Sequence, residues 1–160
     1  MRILAIDPGN TESGYAVIEM PDFKLIEFGK VANEQLLELL EGLNDSNVIA
    51  IEMIASYGMP VGKDVFETCV WIGRLVQVLQ GKDITYIYRK DEKMALCGST
   101  KAKDSNIRQA LIDRYAERDF KNGKGTKKNK DVFYGVSKDV WQAIAVGVTY
   151  WEMEQQKNER

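Results

Sequence analysis

Two similar apolar segments of this 160-residue chain each end in an acidic residue. Residues 3–6 are followed by Asp7, and residues 48–51 are followed by Glu52. If the segments form parallel neighbouring strands, both carboxylates emerge at the carboxyl edge of the sheet, where open α/β sheets bind ligands. Two anions held close together repel each other unless a cation or a shared proton lies between them, and a site of oxygen ligands favours Mg²⁺ or Mn²⁺. The pattern therefore predicts a divalent metal site.

A third acid, Asp139, lies at the start of the apolar segment 137–155. Each acid alone has an ordinary alternative: Asp7 as a turn former, Glu52 as an incidental charge at a strand end, and Asp139 as an acid favoured by the helix dipole. The chain contains no histidine, which excludes histidine-based triads, Cys/His zinc sites and imidazole bases. Three such acids in a chain without histidine favour the metal site.

The elements that must hold these acids follow from the hydrophobic pattern. Apolar runs separated by turn residues predict an antiparallel meander of three strands at 3–6, 15–18 and 24–28. Further strands are predicted at 47–52 and 84–88, and helices at 33–41, 63–80, 104–118 and 137–155. Caps are expected at Asn33, at Asp104 or Ser105, and at Ser137. The order predicts an α/β fold, a mixed five-stranded sheet of an antiparallel meander plus parallel strands, flanked by helices.

Composition and length indicate one globular domain spanning 1–160, with 44% apolar and 29% charged residues. The two cysteines, Cys69 and Cys97, lie far apart, without the spacing of a metal site, which indicates a reduced, cytoplasmic protein. An acid and a proline follow the first six residues, too early for a signal peptide, and no apolar run approaches the ~20 residues of a membrane span. We therefore expect a protein that is neither secreted nor membrane-spanning.

Charge is distributed unevenly along the chain. Residues 1–81 carry 5 basic and 12 acidic groups, a balance of −7, whereas residues 82–160 carry 17 and 12, a balance of +5. Five lysines fall within residues 121–130, which contain no acid: Lys121, Lys124, Lys127, Lys128 and Lys130. This segment is typical of a mobile loop that contacts a polyanion, with a merely solvated loop as the alternative.

Four segments resemble the RuvC-type Holliday junction resolvases of the RNase H-like superfamily. Residues 3–18 (ILAIDPGNTESGYAVI) resemble the opening of that family, 50–52 its second acidic strand, 98–105 its basic loop and 139–145 its final acidic helix. Residues 51–60 and 89–98 are most similar to the bacteriophage-encoded branch. The resemblance covers nearly the whole chain. It implies a homodimeric nuclease that cuts four-way DNA junctions symmetrically with a divalent metal, in the bacterial host cell if the chain is phage-encoded.

The resemblance also implies a ligand set and shows one departure from it. Asp7, Glu52 and Asp139 would hold two Mg²⁺ ions, or alternatively Mn²⁺, that activate water and stabilise the leaving oxygen. Cellular members of the family carry a further aspartate three residues after the first acid of the last helix, where this chain has Gln142. A neutral amide beside the metals adds no charge. Either three carboxylates suffice, or metal affinity has changed, or another acid such as Asp131 supplies the charge.

Partner contacts are expected from three sets of side chains. DNA phosphates should meet Lys101, Lys103, Arg108, Arg114, Arg118 and the loop residues Lys124, Lys127, Lys128 and Lys130. Lys101 or Lys103 could also act catalytically at the scissile phosphate, with simple phosphate binding as the alternative. Tyr57 lies in a Gly/Pro loop and is suited to stacking on a splayed base, or else to core packing. Apolar residues of the helix 63–80, namely Phe66, Val70, Trp71 and Leu75, serve the core alone or also the implied dimer.

Three other functions remain open from the sequence. An Asp-x-Gly motif followed by a hairpin also begins the actin-like nucleotide phosphotransferases, although these need two such lobes and a longer chain. Gln142 favours a branched-DNA binding module without catalytic activity. A nuclease with a broader preference for replication forks and flaps is compatible with the same composition.

Overall fold

The structure is a computed structural model that describes residues 1–43 and 47–160. The elements of these residues, in chain order, are β1 (Arg2–Asp7), β2 (Glu12–Glu19), β3 (Lys24–Ala32), α1 (Asn33–Glu41), β4 (Asn47–Met53), α2 (Lys63–Val78), β5 (Ile84–Tyr88), α3 (Arg89–Cys97), α4 (Asp104–Tyr115) and α5 (Lys138–Asn158). All predicted strands and helices are present. Only α3 has no counterpart in the sequence-based prediction.

The sheet has the strand order β3-β2-β1-β4-β5. Strands β1 to β3 form an antiparallel meander, and β4 runs parallel to both β1 and β5. This confirms the predicted mixed sheet. Parallel neighbours need a long crossover, which α1 and α2 provide on either side of β4. Ile6 pairs with Ile51 in the β1–β4 register, so one step further Asp7 and Glu52 leave the sheet side by side.

Two apolar cores lie on opposite faces of the sheet. Because side chains alternate along a strand, Ile3 and Ala5 face one core, whereas Leu4 and Ile6 face the other. Residues of α3, α4 and α5 close the first core, and residues of α1 and α2 close the second. The central strands are therefore covered on both faces, as their continuous apolar sequence indicates.

Helix α5 lies closely against the sheet. Its residues from 140 to 150 are buried except Gln142, which is partly exposed, and this confirms the prediction for its apolar sequence. A Cβ atom added to Gly147 would lie 2.8 Å from Ile18 Cδ1 and 3.1 Å from Ala5 Cβ, so a larger residue would be overpacked there. This close contact fixes α5, and with it the acid in its first turn, relative to β1 and β2.

The predicted ends of two helices need correction. Helix α2 ends at Val78 rather than at residue 80, and α4 ends at Tyr115 rather than near residue 118. Ala116 takes an extended conformation, and the backbone N–H groups of residues 117–119 donate to the Asp131 carboxylate. These hydrogen bonds replace those that a longer α4 would make.

Two of the predicted caps are also wrong. Asn33 lies inside α1, where its buried side chain accepts from the Ser13 hydroxyl at 2.6 Å and donates to the Gly9 carbonyl at 2.9 Å. Lys103 occupies the N-cap position of α4, and its N–H donates to Asn106 Oδ1 at 2.9 Å. Ser137 does take the N-cap position of α5, without a side-chain hydrogen bond to the helix.

Helix α3 begins directly after β5. The Tyr88 N–H donates to Asp91 Oδ2 at 2.9 Å at its start, and Gly98 ends it in a left-handed conformation. Its two buried residues are Glu92 and Leu96, so one of its inward positions holds an acid. The hydrophobic pattern of the sequence did not predict this helix, because a carboxyl group occupies a buried position where most helices have an apolar side chain.

Across the described ranges, no helix is both long enough and apolar enough to cross a membrane.

Candidate active site

The carboxyl edge of the sheet opens into a cavity of about 390 Å³. The predicted acids Asp7, Glu52 and Asp139 line it together with Gln142, and an exposed acid, Asp104, lines it as the partner of Arg89. The basic residues of the lining are Arg89, Arg108, Lys124 and Lys138. The structure thus brings together three acids that lie far apart in the sequence, within a rim of cations. Of these basic residues, Arg89 and Lys138 are absent from the sequence-based prediction.

Asp7 and Glu52 are in direct contact at the ends of β1 and β4. Burial raises the pKa of Asp7 to about 9, and the hydrogen bond and the negative charge of Glu52 add to the effect. At neutral pH this carboxyl therefore keeps a proton that it shares with its neighbour. A divalent cation could take the place of that proton, because it offsets the same repulsion.

A glycine allows Asp139 to approach these two acids. Gly14 pairs with Asp7 in the β1–β2 register, and a Cβ atom at Gly14 would lie only 2.5 Å from the Asp139 carbonyl oxygen. On the next strand, Lys30 pairs with Gly14, and its Nζ lies 2.6 Å from Asp139 Oδ2. The ion pair with Lys30 is a contact between distant segments that the sequence pattern does not indicate.

The loop after Asp7 is held by buried polar groups. A Cβ atom at Gly9 would lie 2.2 Å from the Glu12 carbonyl oxygen, so the tight turn requires glycine. The Gly9 N–H donates to Ser13 Oγ at 3.1 Å, and Asn33 bonds to both Ser13 and Gly9. Together these contacts fix the direction in which the chain leaves Asp7.

Glu92 adds a fourth carboxyl group that the sequence analysis missed. It lies on α3, is completely buried, and contacts both Glu52 and Gln142. Burial raises its pKa to about 11, with the hydrogen bond and charge of Glu52 as further causes. The Gln142 side-chain nitrogen donates to Glu52 Oε1 at 3.1 Å and to Glu92 Oε1. Gln142 therefore does lie beside the acids, as predicted, and it joins two of them.

Asp131 does not supply the missing charge. Its carboxylate accepts hydrogen bonds from the backbone N–H groups of Glu117, Arg118, Asp119 and Val132. These bonds fix the chain after α4, and Asp131 is not part of the cavity. The prediction that Asp131 could complete the site is wrong.

The donor chemistry of the cavity fits a divalent cation, although one ligand must move. Within residues 1–43 and 47–160 no three acidic, cysteine or histidine side chains surround one point closely enough to hold a metal. Asp139 pairs with Lys30 instead. The cavity nevertheless offers oxygen ligands alone, with two carboxyls that must share a proton when no cation is bound.

The expected phosphate-binding residues separate into two groups. Arg108 and Lys124 line the cavity, whereas Lys101 and Lys103 are exposed and lie outside it. Arg89 is the first residue of α3, and its Nη1 lies 3.6 Å from Glu52 Oε1. The cations nearest the carboxylates are therefore not those of the 98–105 loop.

The lysine-rich segment 121–130 is folded rather than the mobile loop expected from its composition. Asp119 accepts hydrogen bonds from the N–H groups of residues 121, 122 and 125, and Gly125 pairs with Lys130 in a short bridge. Lys127, Lys128 and Lys130 remain exposed on it.

Two arginines expected at DNA also have partners within the chain. Arg118 donates to the Lys130 carbonyl at 2.6 Å, next to the folded lysine segment. Arg114 contacts Glu152 and donates to the Ala95 carbonyl at 3.2 Å, and so joins α4 to α5 and α3. Both guanidinium groups therefore stabilise the packing of elements around the site.

Tyr57 is 62% exposed and has a positive φ of 50°, which excludes the alternative that it packs in the core. Together with Arg89, Lys90 and Lys93 it lines a shallow second cavity next to the acidic edge. An exposed ring among cations is a suitable contact for a nucleic acid base.

Comparison with known proteins gives one sequence relative and several structural ones. No family model matches the chain. A 52-residue alignment is 46% identical to the crossover junction endodeoxyribonuclease RuvC of Aliarcobacter butzleri (strain RM4018) and covers 28% of this chain. It spans 34% of that relative, about a third of its length.

Solved structures match almost the entire chain. The structure of Thermus thermophilus RuvC matches with a TM-score of 0.69 and 14% identity over 98% of this chain and 97% of that one. The complex of T. thermophilus RuvC with a Holliday junction substrate matches with a TM-score of 0.68 and 17% identity, over 96% of each chain. The Fowlpox virus resolvase bound to Holliday junction DNA matches with 0.56 and 15% identity, over 96% of this chain and 99% of that one.

The mixed sheet and its helices therefore form an RNase H-like fold. Within that class, the chain resembles the RuvC-like Holliday junction resolvases, and this part of the sequence-based resemblance is confirmed. Its assignment to the bacteriophage-encoded branch stays a prediction.

Proposed function

We propose that this chain is a metal-dependent, structure-selective endonuclease that hydrolyses phosphodiester bonds in four-way DNA junctions and other branched DNA. The observation that carries the proposal is the meeting of Asp7, Glu52 and Asp139 in one cation-rimmed cavity. The resolvase fold places that cavity at the carboxyl edge of the sheet, where open α/β proteins bind their ligands.

Asp7, Glu52 and Asp139 are the proposed ligands of two Mg²⁺ ions. Two divalent ions held by these residues would supply an activated water and stabilise charge on the leaving 3′ oxygen, so the reaction would need no imidazole base. To hold them, Asp7 and Glu52 would release their shared proton to solvent, and Asp139 would leave its Lys30 partner. Lys30 would then face the phosphate backbone of the substrate.

The cations around the cavity suggest how the substrate phosphate is held. Arg108 and Lys124 line the cavity and can contact the scissile phosphate and its neighbours. Lys101 and Lys103 lie outside it, which favours the phosphate-binding role for both over the catalytic role predicted for Lys103. Such contacts read the shape of the DNA backbone rather than its bases.

Two exposed surfaces fit a branched substrate and a dimer. Tyr57 lies beside the acidic edge and is available to stack on an unpaired base at the crossover. Phe66 and Val70 of α2 are 61% and 64% exposed, while Leu75 of the same helix is buried. We assign the exposed apolar face of α2 to a homodimer interface, which would let two sites cut opposite strands.

The test is incubation of a labelled synthetic four-way junction with Mg²⁺. The native chain should make paired nicks at symmetric positions. Asp7→Asn, Glu52→Gln and Asp139→Asn should each abolish cleavage while keeping junction binding, because each removes a metal ligand and no DNA-contacting cation. Glu38→Gln, an exposed change on α1, is the matched control. Cleavage at the native rate by any of the three site variants would remove that residue from the proposed site.

One observation favours a second candidate, a junction-binding module without catalytic activity. Asp139 is paired with Lys30 rather than free to bind a cation. Such a module would bind the junction with native affinity and leave it uncut at every Mg²⁺ and Mn²⁺ concentration. The same assay therefore separates the two functions.

A further inference from the structure

We propose that Glu92 is a positioning residue that orients the Gln142 amide, so that the amide carbonyl oxygen serves as a neutral metal ligand on α5. This inference rests on the proposed function, because it concerns ligands of the same cavity. It accounts for an amide at a position where the related family places an aspartate.

The orientation of the amide follows from its two partners. The Gln142 nitrogen donates to Glu52 Oε1 at 3.1 Å and to Glu92 Oε1, and both hydrogen bonds of this side chain among the described residues are made by the nitrogen. An amide nitrogen can only donate and a carbonyl oxygen can only accept. A flipped amide would lose both of these hydrogen bonds and would set its carbonyl oxygen against Glu52 Oε1. The nitrogen therefore faces the glutamates, which leaves the carbonyl oxygen for the cavity that Gln142 lines.

Glu92 is poorly explained as a merely structural residue. It is completely buried on α3, at a position where an apolar side chain would avoid the cost of removing a carboxyl group from water. Its Oε2 accepts no hydrogen bond from an amide, hydroxyl or cationic group of the described chain. Its contacts are instead with Glu52 and Gln142, both of which line the cavity.

The pair also has a consequence for metal preference. An aspartate on α5 would contribute a charged ligand, whereas the Gln142 carbonyl would contribute a neutral oxygen. A site with a neutral ligand should bind Mg²⁺ weakly and favour Mn²⁺, which stands higher in the divalent affinity order. Partners that orient metal ligands typically change metal affinity by about 10–100-fold when they are removed.

The test is calorimetric titration of the metal-free, full-length chain with Mn²⁺, without DNA. Glu92→Met removes the acceptor that fixes the amide while filling a similar volume, so Mn²⁺ binding should weaken by about tenfold or more. Glu92→Asp keeps an acceptor but withdraws it by one methylene group, and should give a smaller loss. Glu38→Gln should bind Mn²⁺ like the native chain. Thermal melts show whether each variant is folded.

The role of Glu92 through Gln142 is tested by changing the second residue. Gln142→Asp places a charged ligand directly on α5 and should strengthen Mn²⁺ binding. In that background there is no amide for Glu92 to orient. Glu92→Met should then leave Mn²⁺ binding unchanged, in contrast to the loss expected when Gln142 is present.

Three outcomes would overturn the inference. Mn²⁺ binding by Glu92→Met within twofold of native would show that Glu92 only fills space. An equal loss in both backgrounds would show that Glu92 acts independently of Gln142. Weaker binding by Gln142→Asp would show that the amide is not replacing a charged ligand. In the same titration Asp7→Asn reports on the proposed function itself: if it too binds Mn²⁺ normally, the metal site fails, whereas a loss in Asp7→Asn alone refutes only the role of Glu92.

Discussion

Gly14→Ala should separate the position of Asp139 from its chemistry. The substitution leaves every carboxylate and every cation of the site in place. It adds one methyl group between β2 and the first turn of α5, 2.5 Å from the Asp139 carbonyl oxygen and 2.9 Å from its carbonyl carbon. Both atoms belong to the backbone, so a side-chain rotation cannot relieve the contact.

The size of the effect follows from that distance. Ordinary contacts begin near 3.4 Å, so the first turn of α5 must move away from β2 by about 0.9 Å. Overpacking of this kind costs about 1–3 kcal/mol in the free energy of unfolding. A displacement of about 1 Å in a catalytic group can lower the rate by about 100-fold. We therefore expect cleavage of a four-way junction to fall by about two orders of magnitude in protein that is still folded and binds the junction.

Two other glycines provide the controls. A Cβ atom at Gly42, at the end of α1, would lie 3.8 Å from the Leu39 carbonyl oxygen, an ordinary contact, so Gly42→Ala should stabilise the protein by up to about 1 kcal/mol and leave cleavage unchanged. Gly147→Ala overpacks α5 further along, mainly against the flexible end of Ile18, and should reduce stability without a comparable loss of cleavage per folded molecule. Native cleavage by Gly14→Ala would show that the approach of α5 to β2 does not set the activity.

Three further predictions concern DNA binding and pH. Replacing the exposed residues Lys127, Lys128 and Lys130 by alanine should weaken junction binding and change stability by less than about 0.5 kcal/mol. The slope of the logarithm of the binding constant against the logarithm of the salt concentration should become shallower by up to about 0.9 for each lost phosphate contact. An unaltered slope would place this segment away from DNA. Tyr57→Ala should lower junction cleavage at an unchanged melting temperature, whereas Tyr57→Phe should retain cleavage; equal rates for both would exclude stacking. The pKa of Asp7 is raised from 3.8 to about 9 in the folded protein, so between these pH values the metal-free folded state holds a proton that the unfolded state has released. The contribution of Asp7 to the free energy of unfolding is therefore greatest below about pH 4 and is lost as the pH rises towards 9. Denaturant melts in chelator between pH 5 and 9 should show this fall, and Asp7→Asn should flatten it; parallel curves for the two proteins would refute the assignment.

The sequence by itself determined the main elements of the fold and the meeting of two acids. Alternating and continuous apolar runs mark β1 to β5, and the short turns between the first three strands allow only a local antiparallel pairing. Because β1 and β4 end in an acid at the same register, parallel pairing was enough to predict that Asp7 and Glu52 lie together. These features depend on residues close in sequence or on a single strand pairing.

Tertiary structure alone decided how the site is completed. Glu92 reaches Gln142 because α3 packs against α5, and Lys30 reaches Asp139 because β3 lies two strands from β1, next to the start of α5. Asp131, a plausible ligand by its charge, is instead occupied by backbone N–H groups at the end of α4. The spacing of apolar residues along a helix or strand predicts which of its faces is buried. It does not predict which polar groups from distant elements meet at that face. Those contacts are set by the packing of helices on the sheet, and they decide the charge and the ligands of the cavity.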